Sequence, residues 1–143
     1  MYKGWLWDKK PSLILVGLLL VGHGSRLPYN KENVEKLAAI LRKRSTFGEV
    51  AISFMCMNTP TIAEALNMLA QRNVSKIVLA PVFLAAGIHT THDIPKLIGV
   101  QEKELQLQER GVKLFYGEPL GYDERIAEIL EEKAYKALGQ EIR

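Results

Sequence analysis

The fold of this chain is decided by one stretch, LLLVGHGSR, which occupies residues 18–26. It closes an almost continuous apolar run that begins at Leu13, and it stops abruptly at a histidine that stands between two glycines. Such a run is typical of a central parallel strand, which is covered on both faces. The stretch therefore predicts a buried strand that delivers His23 into a glycine loop.

The segments that follow this strand alternate between strand and helix patterns. Further strands are predicted over 50–55, 77–83 and 112–116, and helices are predicted over about 30–44, after 59–61, after 93–95 and from 123 to about 139. The stretch 101–110 is polar. This alternation predicts an α/β fold with a four-stranded parallel sheet, helices on both faces and the common doubly wound strand order 2-1-3-4.

Helix-end chemistry and apolar spacing add detail to these elements. Asn30 is expected to cap the first helix, Gly48 to end the first unit, and Pro60 to stand near the first position of the second helix. The last helix is expected to turn an apolar stripe inward. That stripe consists of Ile126, Ile129, Leu130 and Ala134.

Composition limits the classes of function. The 143 residues fit one domain over 12–143, preceded by an extension over 1–11 whose two tryptophans either are poorly ordered or pack on a partner subunit. The single cysteine, Cys56, excludes an intrachain disulfide and fits a reducing cytoplasm. A net charge of +3 is too weak to indicate nucleic acid but suits a small polyanion.

The chain is not expected to cross or enter a membrane. Its longest apolar run, 13–22, is about ten residues, and a membrane span needs roughly twenty. Lys9 and Lys10 precede this run as they would in a signal peptide, but no small-residue cleavage site follows it. A cytoplasmic protein is therefore the prediction.

All three histidines follow two similar apolar stretches. His23 follows the first strand, and His89 and His92 follow the third strand through the sequence AAGIH at 85–89. In the order 2-1-3-4 these strands are neighbours, roughly 4.8 Å apart, so their trailing loops would converge at the switch point. His23 and His89 are thus expected to reach one small object, and His92 is a possible third member.

Converging imidazoles leave several chemistries open. They can hold a divalent metal such as cobalt, nickel or zinc, act as a general base, or form a phosphohistidine, and either histidine can instead be structural. Ser25 has no Asp-His partner in the sequence, so serine hydrolase chemistry is not indicated. Cys56 follows the second strand at the same edge, where a buried structural cysteine is the favoured interpretation.

Five motifs in a fixed order resemble one family. They are VGHGSR at 21–26, NTPT at 58–61, PVFL at 81–84, GIHTT at 87–91 followed by DIP at 93–95, and EPLG at 118–121. Together they resemble the small archaeal form of the sirohydrochlorin chelatases, the CbiX type, over residues 18–138. The resemblance implies a single chelatase-like three-layer domain that inserts Co²⁺ or Ni²⁺ into sirohydrochlorin, on the way to cobalamin or the nickel cofactor of methanogenesis.

The resemblance also implies roles for individual residues. His23 and His89 would bind the metal and assist deprotonation of the pyrroles, without an organic cofactor, and two copies would form a homodimer. Three departures are visible: Cys56 stands where many relatives have glutamate, His92 where close relatives often have arginine, and 101–110 where some relatives carry a histidine-rich insert. Cys56 and His92 are therefore possible accessory residues.

The substrate carries many carboxylates around a flat macrocycle. Arg26, Lys31 and Lys96 are candidate partners for the carboxylates. Leu27 and Ile88 could line the macrocycle face, as could Phe83 and Leu84, for which a core position is the favoured interpretation. The expected substrate-binding residues are Gly24, Ser25, Arg26, Lys31, Gly87, Ile88 and Thr90.

Two other functions remain as alternatives. One is a phosphohistidine enzyme that uses His23, but Gly22 stands where the familiar Arg-His-Gly signature needs an arginine. The other is a metal carrier that binds through His23 and His89 without turnover.

Overall fold

A computed structural model describes residues 13–85 and 100–139 of the chain. Four strands and four helices alternate along these residues. They are β1 (Leu13–Gly22), α1 (Tyr29–Arg44), β2 (Phe47–Phe54), α2 (Ile62–Ala70), β3 (Lys76–Pro81), α3 (Val100–Glu109), β4 (Lys113–Tyr116) and α4 (Glu124–Ala137). The strands form one parallel sheet in the order β2-β1-β3-β4, which confirms the predicted class and strand order.

Strand β1 is central, as its unbroken apolar sequence predicted. Its residues 18–22 are all buried, because β2 and β3 flank it and helices cover both of its faces. Leu20 lies opposite Ile52 on one side and opposite Ala80 on the other.

The core has two layers, one on each face of the sheet. On one face, α1 contributes Val34 and Ala38 to a cluster with side chains of β1 and β2. On the other face, α2 and α3 pack against β1, β3 and β4, with Leu66 and Leu107 fully buried. The chain thus forms three layers, helix on sheet on helix.

The start of α1 differs from the prediction. The helix begins at Tyr29 with Pro28 as its N-cap, and no side chain caps it. Asn30 lies inside the first turn, and its Oδ1 accepts a hydrogen bond from the Gly24 N–H at 2.9 Å. The predicted cap was wrong because this amide serves the glycine loop instead of the helix.

The start of α2 lies one step later than predicted. Thr61 is the N-cap, and its side chain and the Glu64 side chain exchange hydrogen bonds with each other's backbone N–H, which is a capping box. Pro60 therefore precedes the cap and is not a first helical residue. The predicted inner stripe of this helix, Ile62, Ala65, Leu66 and Leu69, is buried as expected.

One further boundary, at Gly48, was misread. Gly48 lies inside β2 rather than at the end of a unit. A Cβ at this position would lie 1.8 Å from the Ile14 carbonyl oxygen, so the close approach of β1 explains the glycine. The polar stretch 101–110 is almost entirely helical as α3, and it is anchored by the buried Leu107. The helix start expected at Asp93 and the extension over 1–11 lie outside the described residues.

Helix α4 does not bury the stripe that its spacing predicted. None of its residues is buried, and Ile129 and Leu130 are 51% and 66% exposed. The expectation of an inward-facing stripe was therefore wrong within a single copy, because none of the described helices or strands packs along α4. Asp123 caps its N-terminus, and bonds to the Arg125 side chain and backbone hold the pKa of this carboxyl well below its usual range.

No helix within 13–85 or 100–139 combines the length and the apolarity that a membrane span requires.

Candidate functional site

His23 directly follows β1 at the carboxyl edge of the sheet, and its side chain is exposed. Its carbonyl oxygen accepts two hydrogen bonds from Cys56, one from the backbone N–H at 3.1 Å and one from Sγ at 3.3 Å. The Met55 N–H donates to the Gly22 oxygen at 2.9 Å. The pairing of β1 with β2 thus continues past both strands and fixes the His23 backbone.

Gly24 allows the two loops to cross closely. Its φ is +97°, and a Cβ at this position would lie 1.8 Å from the Cys56 carbonyl oxygen. Only glycine tolerates both this conformation and this approach. The glycine after the histidine is therefore a steric requirement of the loop.

Two asparagines from different segments hold the loop after His23. The Gly24 N–H donates to Asn30 Oδ1, and the Ser25 N–H donates to Asn58 Oδ1, each at 2.9 Å. The Leu27 N–H donates to Ser25 Oγ at 3.1 Å. These N–H groups are therefore engaged within the protein and do not form the open cradle of amides that binds phosphate.

The imidazole of His23 lies with one ring nitrogen against a carbonyl oxygen. Its Nδ1 lies 3.2 Å from the Gly24 carbonyl oxygen. Because a carbonyl oxygen can only accept, a hydrogen bond here requires the proton on Nδ1, and a neutral ring would then carry its lone pair on Nε2. The ring also meets Phe83 edge to face, with centroids 6.2 Å apart and planes at 76°.

The segment that leads toward His89 leaves the sheet next to His23. Val21 pairs with Pro81, and the Val82 N–H donates to the Val21 carbonyl oxygen at 2.9 Å. The predicted adjacency of the first and third strands is thus confirmed. The predicted site residues Gly87, Ile88, His89, Thr90 and His92, and also Lys96, lie outside the described residues.

Three expectations of burial can be compared with the structure. Cys56 is exposed, so the buried structural interpretation was wrong, because the loop after β2 rises beyond the sheet edge. Leu84 is 61% exposed and was wrongly expected in the core, whereas Phe83 is half-buried and packs on the core as expected. Leu27 is exposed near the loop.

Basic side chains lie beside the same loop. Arg26 is exposed and Lys31, in the first turn of α1, is half-buried.

Tyr116, at the end of β4, has a raised pKa. Partial burial, with a contribution from the Glu104 carboxylate, raises the pKa of Tyr116 to about 12. Within 13–85 and 100–139, no group of three or more His, Cys, Asp or Glu side chains is placed to hold a metal ion.

Sequence reasoning missed the two asparagines that hold the loop. Asn58 was noticed as part of a motif and Asn30 as a helix cap, but neither was connected with His23. The signal available in the sequence was weak: glycine N–H groups in a tight loop need acceptors, and short amide side chains commonly supply them.

The chain is similar to a family of known proteins over most of its length. The family model described as CbiX matches residues 17–137. A protein of Methanothermobacter thermautotrophicus named sirohydrochlorin cobaltochelatase is 44% identical over 142 residues, covering 92% of this chain and 96% of the relative. A protein of the same name from Methanopyrus kandleri is 39% identical over 143 residues, covering 89% and 100%.

The fold is also similar to a solved chelatase structure. The sirohydrochlorin chelatase SirB from Bacillus subtilis subspecies spizizenii, in complex with cobalt, aligns with a TM-score of 0.74 at 23% identity. The alignment covers 85% of this chain and 50% of the SirB chain. The chain thus spans about half the length of SirB, and the two share a fold.

Proposed function

Because the chain belongs to the CbiX family, we propose that it is a sirohydrochlorin metal chelatase, a lyase that inserts Co²⁺ or Ni²⁺ into sirohydrochlorin. The observation that carries this proposal is His23: an exposed imidazole at the end of the central strand, on a backbone held by Cys56 and two asparagines. Relatives named for this activity match this chain over almost their whole length.

In the proposed mechanism, His23 and His89 hold the metal before insertion. The Nδ1–H bond of His23 to the Gly24 carbonyl supports this role, since such a bond fixes the tautomer that presents a lone pair on Nε2. Imidazole is a suitable ligand for both cobalt and nickel. A small set of neutral ligands leaves coordination positions open for the incoming pyrrole nitrogens.

Insertion exchanges protons for the metal. Two pyrrole N–H bonds break, two metal–nitrogen bonds form in their place, and two protons leave to a base or to water. We assign His23 or His89 as the base that takes a pyrrole proton, because imidazole accepts protons near neutral pH.

The surroundings of His23 suit a flat polycarboxylate. Arg26 and Lys31 supply positive charge beside the loop, and Leu27 and Leu84 present exposed apolar surface. We propose that these cations bind carboxylates of sirohydrochlorin and that the apolar side chains contact its ring. Gly24, Ser25, Gly87, Ile88 and Thr90 complete the proposed substrate site.

Cys56 and His92 are proposed as accessory residues. Cys56 is exposed and bonded to the His23 carbonyl, so it lies close enough to the loop to influence a bound metal. Cys56 would supply a thiol at the position where, by the family resemblance, many relatives carry the carboxylate of a glutamate.

The phosphohistidine alternative is not favoured by the loop. A phosphoryl group on His23 would need nearby donors for its oxygens, but the Gly24 and Ser25 N–H groups are already bonded to asparagine oxygens. The metal-carrier alternative uses the same ligands as the chelatase, and turnover distinguishes the two.

The remaining properties follow from the same proposal. We propose a single domain over 12–143, a homodimer, a cytoplasmic location and turnover without an organic cofactor. Cobalt is the metal named in the relatives, while the imidazole chemistry also accepts nickel.

The experiment mixes purified protein and sirohydrochlorin with Co²⁺ or Ni²⁺ and follows metal insertion by absorption. The protein should accelerate insertion above the spontaneous rate, and His23→Ala and His89→Ala should each return it to that rate. Lys43→Ala, on the exposed last turn of α1, is a matched control that should keep full activity.

The alternatives give different results in the same assay. A carrier would bind metal stoichiometrically without changing the insertion rate. Full activity of His23→Ala, in a variant that keeps the wild-type circular dichroism spectrum, would refute the proposed role of the histidine.

A further inference from the structure

The sheet has an outer edge at β2, the first strand in the order β2-β1-β3-β4. Alternate residues of a strand turn their backbone groups to the same side. The Met55 N–H donates to β1, whereas the Val50 carbonyl oxygen accepts a hydrogen bond from Arg42 Nε at 3.0 Å. Val50, Ile52 and Phe54 therefore turn their backbone N–H and C=O groups outward, away from β1.

One extended piece of the chain already pairs with this outer edge. The Phe54 N–H donates to the Pro60 carbonyl oxygen at 3.0 Å, and Phe54 and Thr61 form an isolated parallel bridge. The edge thus accepts an extended segment at its carboxyl end. Before that point, no strand within 13–85 or 100–139 lies beside the outward groups of Val50 and Ile52.

A groove runs along the uncovered part of the edge. Residues 49–52 of β2 form its floor, with Arg42 of α1 on one wall and Met68 of α2 and Arg72 on the other. The groove has a volume of about 240 Å³, and Met68 is 43% exposed. Four residues of a strand span roughly 13 Å, so the floor matches a short extended segment.

The walls of the groove carry more positive than negative charge. Arg42 and Arg72 lie on opposite walls, and Glu49 is the one carboxylate of the lining. Arg72 Nη1 lies 3.3 Å from Glu49 Oε1, but both side chains are substantially exposed, and such a pair contributes little stability. No residue within 13–85 or 100–139 bonds to the terminal nitrogens of Arg42. Both arginines can therefore bind a further carboxylate.

We propose that this groove binds an extended acidic segment of another protein, which adds to β2 as a fifth strand. The backbone of the segment pairs with the outward groups of Val50 and Ile52, and its carboxylates meet Arg42 and Arg72. Arg42 already occupies the carbonyl oxygen of Val50. At this position the segment is held by a carboxylate on the guanidinium rather than by a backbone donor.

The proposed groove is separate from the candidate chelatase site. None of the residues that line it belongs to the proposed metal or substrate site. The groove follows the side of β2, whereas His23 follows the carboxyl end of β1. A bound segment would leave the His23 imidazole exposed, so the proposal does not rest on the chelatase activity.

The first test measures binding of a fluorescent peptide to the full chain by anisotropy. The probe is a peptide of about seven residues in which valine and glutamate alternate, so that it favours an extended conformation. It should bind, and a peptide with lysine in place of glutamate should bind about tenfold or more weakly. Arg42→Ala and Arg72→Ala should each raise the dissociation constant about fivefold or more. Lys43→Ala, which neighbours Arg42 but does not line the groove, should leave it unchanged.

The second test distinguishes strand addition from attraction between charges alone. In hydrogen exchange followed by NMR, the peptide should slow exchange of the Val50 and Ile52 N–H groups about tenfold or more. The Ser53 N–H, which faces β1, is the matched control and should not respond. A peptide with proline in place of its central valine should lose most of its affinity, because it lacks a backbone donor.

The results that would overturn the proposal are distinct. No binding of the glutamate peptide up to about 1 mM, or equal binding of the lysine peptide, would exclude an acidic segment. Binding that leaves exchange at Ile52 unchanged would exclude strand addition. Self-association that the peptide reverses and that Arg42→Ala abolishes would assign the groove to a second copy of the chain instead. None of these results depends on whether the protein inserts metal.

Discussion

The thiol of Cys56 lies 3.3 Å from the carbonyl oxygen of His23, and the backbone N–H of Cys56 donates to the same oxygen at 3.1 Å. Cys56, two residues after the end of β2, thus bonds twice to His23, the first residue after β1. This attachment links the position of the histidine to the loop after β2.

Replacing Gly24 by alanine should unfold or displace the loop. The new Cβ would lie 1.8 Å from the Cys56 carbonyl oxygen at a positive φ, so we expect a loss of about 3 kcal/mol or more in the free energy of unfolding. Urea unfolding measures the change.

Gly111 provides the matched control for this substitution. It also has a positive φ, but nothing lies within 4 Å of a Cβ built on it. Gly111→Ala should therefore cost only about 1–2 kcal/mol of conformational strain. Equal losses at the two positions would show that steric contact with Cys56 is unimportant.

Removing the acceptor of the Ser25 N–H should loosen the His23 loop. Asn58→Ala leaves this partly buried N–H without its acceptor and should lower stability by about 1–2 kcal/mol. It should also weaken binding of Co²⁺, followed by calorimetry without sirohydrochlorin. Asn58→Asp keeps an acceptor oxygen and should recover most of the stability; if it does not, the hydrogen bond is not the cause.

The tautomer of His23 can be observed directly. Because Nδ1 donates to the Gly24 carbonyl oxygen, the neutral ring should show a protonated Nδ1 and an unprotonated Nε2 in nitrogen-15 NMR. Added Co²⁺ or a diamagnetic substitute such as Zn²⁺ should perturb the Nε2 resonance. A protonated Nε2 in the metal-free protein would contradict the assigned geometry.

Stability should decline in alkali because of Tyr116. Its pKa is raised from 10.0 to about 12 in the folded chain by partial burial and the Glu104 carboxylate. Below pH 10 both the folded and the unfolded state keep the proton, so the group has no effect. Between pH 10 and 12 only the unfolded state releases it, and stability falls as pH rises.

A spectroscopic titration checks the effect of Tyr116. The chain has five tyrosines, and phenolate absorption should show a late component near pH 12 that Tyr116→Phe removes. The variant should also lose part of the decline in stability above pH 10. A titration with the same late component in both proteins would assign it to another tyrosine.

The strands and their order were predictable because apolar runs typical of buried strands recur along the chain and alternate with helical patterns. An apolar run such as 18–21 specifies burial on two faces, and alternation with helical patterns restricts the topology to few choices. The convergence of the loops after β1 and β3 followed from that order. The part of this convergence that concerns His89 stays a prediction.

What sequence reasoning missed depends on contacts between distant residues. Asn30 has the chemistry of a helix cap, and only the approach of Gly24 explains why its oxygen is used elsewhere. Cys56 was expected to be buried because cysteines usually are. That average tendency does not specify where the loop after β2 leaves the sheet, and Cys56 lies on this loop and is exposed. The stripe of α4 was read correctly as apolar, but amphipathic spacing does not specify whether the sheet of the same chain covers it.

The hydrogen bonds around His23 create an asymmetry in how a metal ion could be handed over. Transfer to a macrocycle requires at least one ligand to withdraw while another keeps the ion in place. The backbone of residues 22–25 is fastened by bonds from Met55 and Cys56 and to Asn30 and Asn58, so it cannot shift without breaking several of them. In a chelatase built on this loop, His23 would withdraw from the ion by rotation of its side chain, at the loss of the contact between Nδ1 and the Gly24 carbonyl oxygen.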